Sequence, residues 1–180
     1  MGGNYKGAFI EHNKFLAGVN GINQTIQASI KSAETEGIDL TLSVYQFSDK
    51  LDMTKHGNFT MMASDKMKDK IYDPKFIGND TRLYGTVADI IEYFIKHKGE
   101  EDRVLLNIFT DGGENATERE NKYRNPVELA RLIKDAEDNH NFTVTFMGTK
   151  EDVKKIISRV NIDATNTIVH DNTYAGTSAV

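Results

Sequence analysis

The apolar positions of this chain change period several times, and each change marks a predicted element. Phe9, Phe15, Leu16, Val19, Ile22, Ile26 and Ile30 recur at helical spacing and predict a helix over Phe9 to Glu34. Gly18 and Gly21 interrupt it, at about 1 kcal/mol of helix propensity each. Small residues there let a helix approach a sheet closely. Gly37 is the predicted stop. From Leu40 to Phe47 the pattern alternates, in residues that favour strands. Ser48-Asp49-Lys50 predicts a turn, with Leu51 to Thr54 pairing back as a short antiparallel edge strand. Met61 to Lys75 is polar and predicted irregular, apart from one short helix after Ser64.

Further along, helix and strand patterns alternate. Thr81 is a candidate cap for a helix from Leu83 to Lys98, in which Leu83, Val87, Ile90, Ile91 and Phe94 form one stripe. Val104 to Phe109 is a near-continuous apolar run, as in a strand covered on both faces. Asn125-Pro126-Val127-Glu128 predicts a helix start, with a capping Asn, Pro at the first position and Glu closing a capping box. That helix continues to about Asp138. Phe142 to Met147 reads as a strand, Thr149 to Asp152 opens a helix reaching about Val160, and Thr167 to His170 is a last short strand. No repeat, linker or low-complexity tract interrupts the order. Strand alternating with helix predicts an α/β fold, a mostly parallel sheet with helices on both faces.

Composition narrows the setting. A chain of 180 residues fits one domain, and a domain of that size buries about 70% of its unfolded surface. The net charge of -5 argues against a nucleic-acid partner or an anionic membrane. There are no cysteines, hence no disulfide and no thiolate zinc site. No apolar run reaches the roughly 18 residues of a membrane span, and no signal peptide is evident. The opening Met1-Gly2-Gly3-Asn4-Tyr5-Lys6 misses the myristoylation pattern at Lys6. Asn-x-Thr sequons at Asn23, Asn58, Asn79, Asn115 and Asn141 are read as coincidence in a cytoplasmic protein.

Ligands of a parallel sheet bind at the carboxyl ends of its strands. Asp111 stands there, directly after the most apolar strand, with Gly112 and Gly113 giving a tight turn. Thr81 opens the helix of another crossover and can share the crevice. A carboxylate and a hydroxyl are hard oxygen donors that suit Mg²⁺ or Mn²⁺. The plainer alternative is that Thr81 only caps a helix and Asp111 only makes a turn. His12, His56, His97, His140 and His170 lack metal-ligand spacing. Glu100 to Arg103 and Glu118 to Lys122 read as solvated surface. Ser178-Ala179-Val180 reads as a frayed end. No Ser-His-Asp order, phosphate-cradling glycine loop or zinc pattern is present.

Four segments carry a resemblance. Thr81-Arg82-Leu83-Tyr84-Gly85-Thr86 looks like a T-x-L-x-x-A stretch, with Thr86 in the place of Ala. Asn107 to Asn115 looks like a strand ending in T-D-G-x-E-N. Ala17-Gly18-Val19-Asn20-Gly21-Ile22-Asn23 resembles a first helix, and Phe146-Met147-Gly148-Thr149-Lys150-Glu151-Asp152 a penultimate strand and turn. Together, and in this order, they resemble the von Willebrand factor A domain, in its bacterial and phage members. The resemblance implies a Rossmann-like three-layer α/β/α fold over residues 1–180, with a mostly parallel sheet and one antiparallel edge strand. In that family a metal ion-dependent adhesion site is built from a D-x-S-x-S loop, a Thr and an Asp. By resemblance Thr81 and Asp111 take the last two roles.

The family's first loop follows a central strand and reads D-x-S-G-S-M, and this chain begins at Met1. One alignment places Met1 at that M, with the whole first strand absent; at the other end Asp171 to Val180 stand where the family packs another helix, so that end is expected to be shorter too. Another makes Tyr5 to Ile10 the first strand and Glu11-His12-Asn13 a decayed loop. Losing a central strand of roughly 5–6 residues would remove roughly 5–10 ladder bonds at about 1 kcal/mol each. That rivals a typical domain stability of about 5–15 kcal/mol. Such a chain is expected to repair its sheet, to borrow a strand from another copy through exposed sheet edges, or to be marginal.

The expected function is a non-enzymatic protein-interaction module. Its partial metal site of Thr81 and Asp111 would hold Mg²⁺ or Mn²⁺ weakly and bridge to a partner's carboxylate. A metal-free assembly scaffold is the alternative. A third reading is a small α/β phosphoryl-transfer enzyme using Asp111, for which a second acidic neighbour and a phosphate-binding lysine motif are lacking.

Overall fold

The computed structural model describes residues 24–43, 45–47, 51–52, 58–60, 81–110, 114–115, 125–160 and 167–169. These fall into two compact units. The first gathers helix α1 (24–36) and strands β1 (Thr41–Ser43) and β4 (Asn58–Thr60). Ile26, Ile30 and Ala33, spaced at four and three residues, are its buried stripe. Gly37 ends α1 at φ +66°, and the Ile38 N–H donates back to the Ala33 carbonyl at 2.9 Å. This six-to-one bond needs a left-handed residue, which glycine adopts without a Cβ penalty. β1 and β4 pair antiparallel, Leu42 opposite Phe59. The expected helix start at Phe9 and the 61–75 stretch lie outside the described residues.

The predicted strand Leu40–Phe47 is not continuous. Its first half is β1 and its second half is β2 (Gln46–Phe47), which belongs to the other unit. The two halves pair with different strands, so one alternating pattern serves two ladders. β2 pairs antiparallel with β3 (Leu51–Asp52), Phe47 opposite Leu51. Leu51 and Asp52 thus pair back on β2 as expected, in a two-stranded sheet of their own among the described residues; residues 48–50 and 53–54 lie outside them.

The second unit continues with helix α2 (Leu83–His97), strand β5 (Val104–Phe109), helix α3 (Pro126–Asn139), strand β6 (Phe142–Gly148), helix α4 (Lys150–Val160) and strand β7 (Thr167–Val169). The three strands form a parallel sheet in the order β5-β6-β7, with Val104 opposite Phe142 and Phe146 opposite Thr167. The fold class is therefore α/β. Alternate residues of a strand share a face. Val104, Leu106 and Ile108 of β5 lie on one face with Phe142, Val144 and Phe146 of β6. Against them pack Leu83, Val87 and Ile91 of α2, Leu129, Ile133 and Ala136 of α3, and Ile156 and Val160 of α4.

Strand β5 departs from its expected burial on both faces. It forms one side of the described sheet, and Leu105 is 59% exposed. β6 is the central strand, paired on both sides, although Thr143 and Thr145 make it read as more polar. An apolar run registers burial tendency, whereas strand order depends on which neighbours the crossovers bring.

Helix α3 begins nearly as its sequence predicts. Pro126 is the first residue and the Asn125 side chain accepts from the Val127 N–H at 3.0 Å. Glu128 does not close a capping box. Its carboxylate takes the Arg131 guanidinium at 2.8 Å, one turn on. Among the described residues no helix is long and apolar enough to cross a membrane.

Candidate functional site

Thr81 stands just before α2 and is tied to the segment that follows β5. Its N–H donates to Asn115 Oδ1 at 2.7 Å, and the Asn115 N–H donates to the Thr81 carbonyl at 3.1 Å. One step along, the Tyr84 N–H donates to Glu114 Oε2 at 2.6 Å in a buried contact. These three bonds clamp together segments separated by 30 and 34 residues. Thr81 and the residues after β5 are thus neighbours, at the carboxyl end of the strand.

The clamp corrects the expected cap. Arg82, not Thr81, is the N-cap of α2, and it makes no side-chain capping bond. The first turn of α2 also has no acidic residue of its own. Thr81 lies one residue before the cap, with its N–H and carbonyl bonded to Asn115 and not to the helix. Glu114 supplies the missing acceptor, and its negative charge lies where the helix dipole favours it. Glu114 is only 8% exposed, so its carboxylate depends on such donors.

The carboxyl ends of β5 and β6 lie close together. The Thr110 N–H continues the ladder to the Met147 carbonyl at 3.0 Å. A Cβ at Gly148 would stand 2.7 Å from the Thr110 carbonyl oxygen, so only glycine fits that approach. Past Gly148, Thr149 opens α4. Its hydroxyl donates to Asp152 Oδ2 at 2.6 Å and accepts from the Asp152 N–H at 3.3 Å. Asp152 is 9% exposed, with Lys155 Nζ 3.6 Å from Oδ1. Tyr84, Glu114, Asp152, Lys155 and Arg159 line a crevice of about 10 Å³. That volume holds about one water molecule and no organic ligand. A larger cleft of about 220 Å³ lies at the opposite end of the strands, beside Lys98, Glu100, His140 and Asn141, and is remote from Thr81.

Of the two expected metal donors, Thr81 is described and Asp111 lies outside the described residues, with Gly112 and Gly113. The Thr81 hydroxyl makes no hydrogen bond among the described residues. Those residues hold no group of three or more His, Cys, Asp or Glu arranged for a metal ion. His97 stacks on Tyr93 with ring centres 4.3 Å apart, and its Nδ1 lies 2.7 Å from the Tyr93 carbonyl. His140 Nε2 is 3.6 Å from Asp135. Both thus have local partners.

Glu114 and Asn115 are the residues to which sequence reasoning assigned no role, although they end the Asn107–Asn115 stretch. Thr86, which replaces the usual Ala of its stretch, is 1% exposed, and its hydroxyl has no hydrogen-bond partner among the described residues. Comparison with family models, curated proteins and solved structures finds no match to this chain.

Proposed function

We propose that this chain is a von Willebrand A-like protein-interaction module whose contact surface is the loop cluster at the carboxyl ends of the parallel strands. The observation that carries this reading is the clamp. The T-x-L and E-N segments, which the resemblance makes parts of one site, are joined by the Thr81–Asn115 and Tyr84–Glu114 bonds. The finer architecture we propose is the Rossmann-like three-layer arrangement, with the β2–β3 hairpin as its antiparallel edge.

Thr81 Oγ1 and the Asp111 carboxylate are two hard donors, against the six or so that Mg²⁺ or Mn²⁺ requires. The fit is partial. A bound ion would take its remaining ligands from water and from a partner's carboxylate, which it would bridge to the module. Glu114 is not counted among the donors, because its carboxylate serves the α2 amino terminus. That feature favours a second reading, a metal-free assembly scaffold in which the chain's own carboxylate closes the junction.

Calorimetric titration of the full chain with Mg²⁺ and Mn²⁺ separates the two. The module reading expects millimolar binding that is lost in Asp111→Asn. Identical heats for the wild type and Asp111→Asn would leave the scaffold.

A further inference from the structure

We propose that the exposed face of α4 is a docking surface for an acidic segment of a protein partner, held by Lys155 and Arg159 together with Lys150 and Lys154. Such a partner presupposes the interaction-module reading, but no part of its metal site. The chain carries a net charge of -5. On α4, Lys150, Lys154, Lys155 and Arg159 against Glu151 and Asp152 give a net +2, so the other residues together carry -7. In α2 and α3 of the same unit acidic residues outnumber basic ones. Burial sharpens the contrast. Asp152 is 9% exposed and its carboxylate accepts from the Thr149 hydroxyl, whereas all four cations are exposed. On the open face of α4 only Glu151 opposes them.

These cations are not used up within the fold. In α3 both basic residues meet carboxylates of their own helix, Arg131 with Glu128 at 2.8 Å and Lys134 with Asp138 at 2.7 Å. In α4 Lys155 Nζ stays 3.6 Å from Asp152 Oδ1, and Lys150, Lys154 and Arg159 make no ion pair among the described residues. Helical spacing sets Glu151 beside Lys154 and Lys155, and it pairs with neither. Lys155 and Arg159, one turn apart, border the crevice beside Tyr84 and Glu114, so the basic face adjoins the clamp. Its extent and surroundings select the occupant. Lys150 to Arg159 covers about 14 Å of helix, more than one inorganic anion can touch. An extended segment of about four residues matches that length. A nucleic acid would carry its phosphates past the acidic remainder of the chain, which repels them. An anionic membrane would need the apolar stripe of α4, and Val153, Ile156 and Val160 are buried.

Fluorescence anisotropy of fluorescein-labelled hexaglutamate, titrated with the full chain at low ionic strength in EDTA, tests the surface without any divalent ion. The wild type is expected to bind, and about 0.5 M salt to abolish the binding by screening. Lys155→Ala/Arg159→Ala should weaken it by about tenfold, and Lys155→Glu/Arg159→Glu should remove it, with the fold intact by circular dichroism. Lys96→Ala, which deletes an exposed cation of α2, should bind as the wild type does. A wild type that does not bind would overturn the proposal. So would equal weakening in Lys96→Ala, binding that appears only when Mg²⁺ replaces EDTA, or tighter binding of a thymidine oligonucleotide of matched charge. The Mg²⁺ titration remains the separate test of the metal site, and its failure leaves a binding measured in EDTA untouched.

Discussion

Thr86 and Glu114 show opposite fates of a buried polar group. The Thr86 hydroxyl is buried in α2 with no partner among the described residues. Replacing it with the isosteric valine removes a desolvation cost and leaves the packing, so Thr86→Val should raise stability by about 1 kcal/mol. Urea unfolding at fixed slope measures it, and a loss of stability would mean that the hydroxyl has a role. Glu114 is also buried, but it holds the Tyr84 N–H at 2.6 Å. Glu114→Ala should lower stability by about 1–3 kcal/mol, because it leaves a buried donor unpaired. Glu114→Gln keeps an acceptor and should retain more than half of the effect. The sequence could mark Thr81 as a residue before a helix. It could not show that Thr81 would be held by Asn115, because that bond spans 34 residues and depends on two crossovers meeting.

Single elements were more legible where the signal is local. β5 runs over Val104–Phe109 as its apolar run predicts, and β6 and α4 differ from their predicted spans by about a residue at most. The α3 start is written in Asn125 and Pro126, and Asn125→Ala should cost about 1 kcal/mol in the same unfolding assay. The break between β1 and β2 was not legible, since alternation gives a strand its faces but not its partners. Placement of β5 at one side of the described sheet has a consequence that amide exchange can read. Leu106 and Ile108 bond into β6, whereas Leu105, Asn107 and Phe109 face outward. In dilute protein the inner amides should exchange on the order of 100-fold more slowly than the outer ones. Uniform protection along β5 in dilute protein would contradict the one-sided pairing.

For the molecule as a whole, the α/β class follows from the alternation of periods, while the metal question turns on two residues. Thr81 is bound to Asn115 through its backbone alone, so Thr81→Ala removes a proposed ligand and leaves the clamp. Asn115→Ala keeps that ligand and removes one of the clamp's three bonds, the one from the Thr81 N–H. Ligand linkage converts this difference into a thermal shift. At tenfold its dissociation constant, Mg²⁺ should stabilise the fold by about 1.4 kcal/mol. For a chain of this size that corresponds to a rise in Tm of roughly 3–5 °C. Asn115→Ala should lower Tm yet keep a Mg²⁺-dependent rise, whereas Thr81→Ala and Asp111→Asn should keep most of their Tm and lose the rise. All scans are run at one protein concentration, because association of any kind stabilises by mass action. Equal Mg²⁺-dependent shifts in all four proteins would place the ion elsewhere and leave the clamp as a purely structural joint.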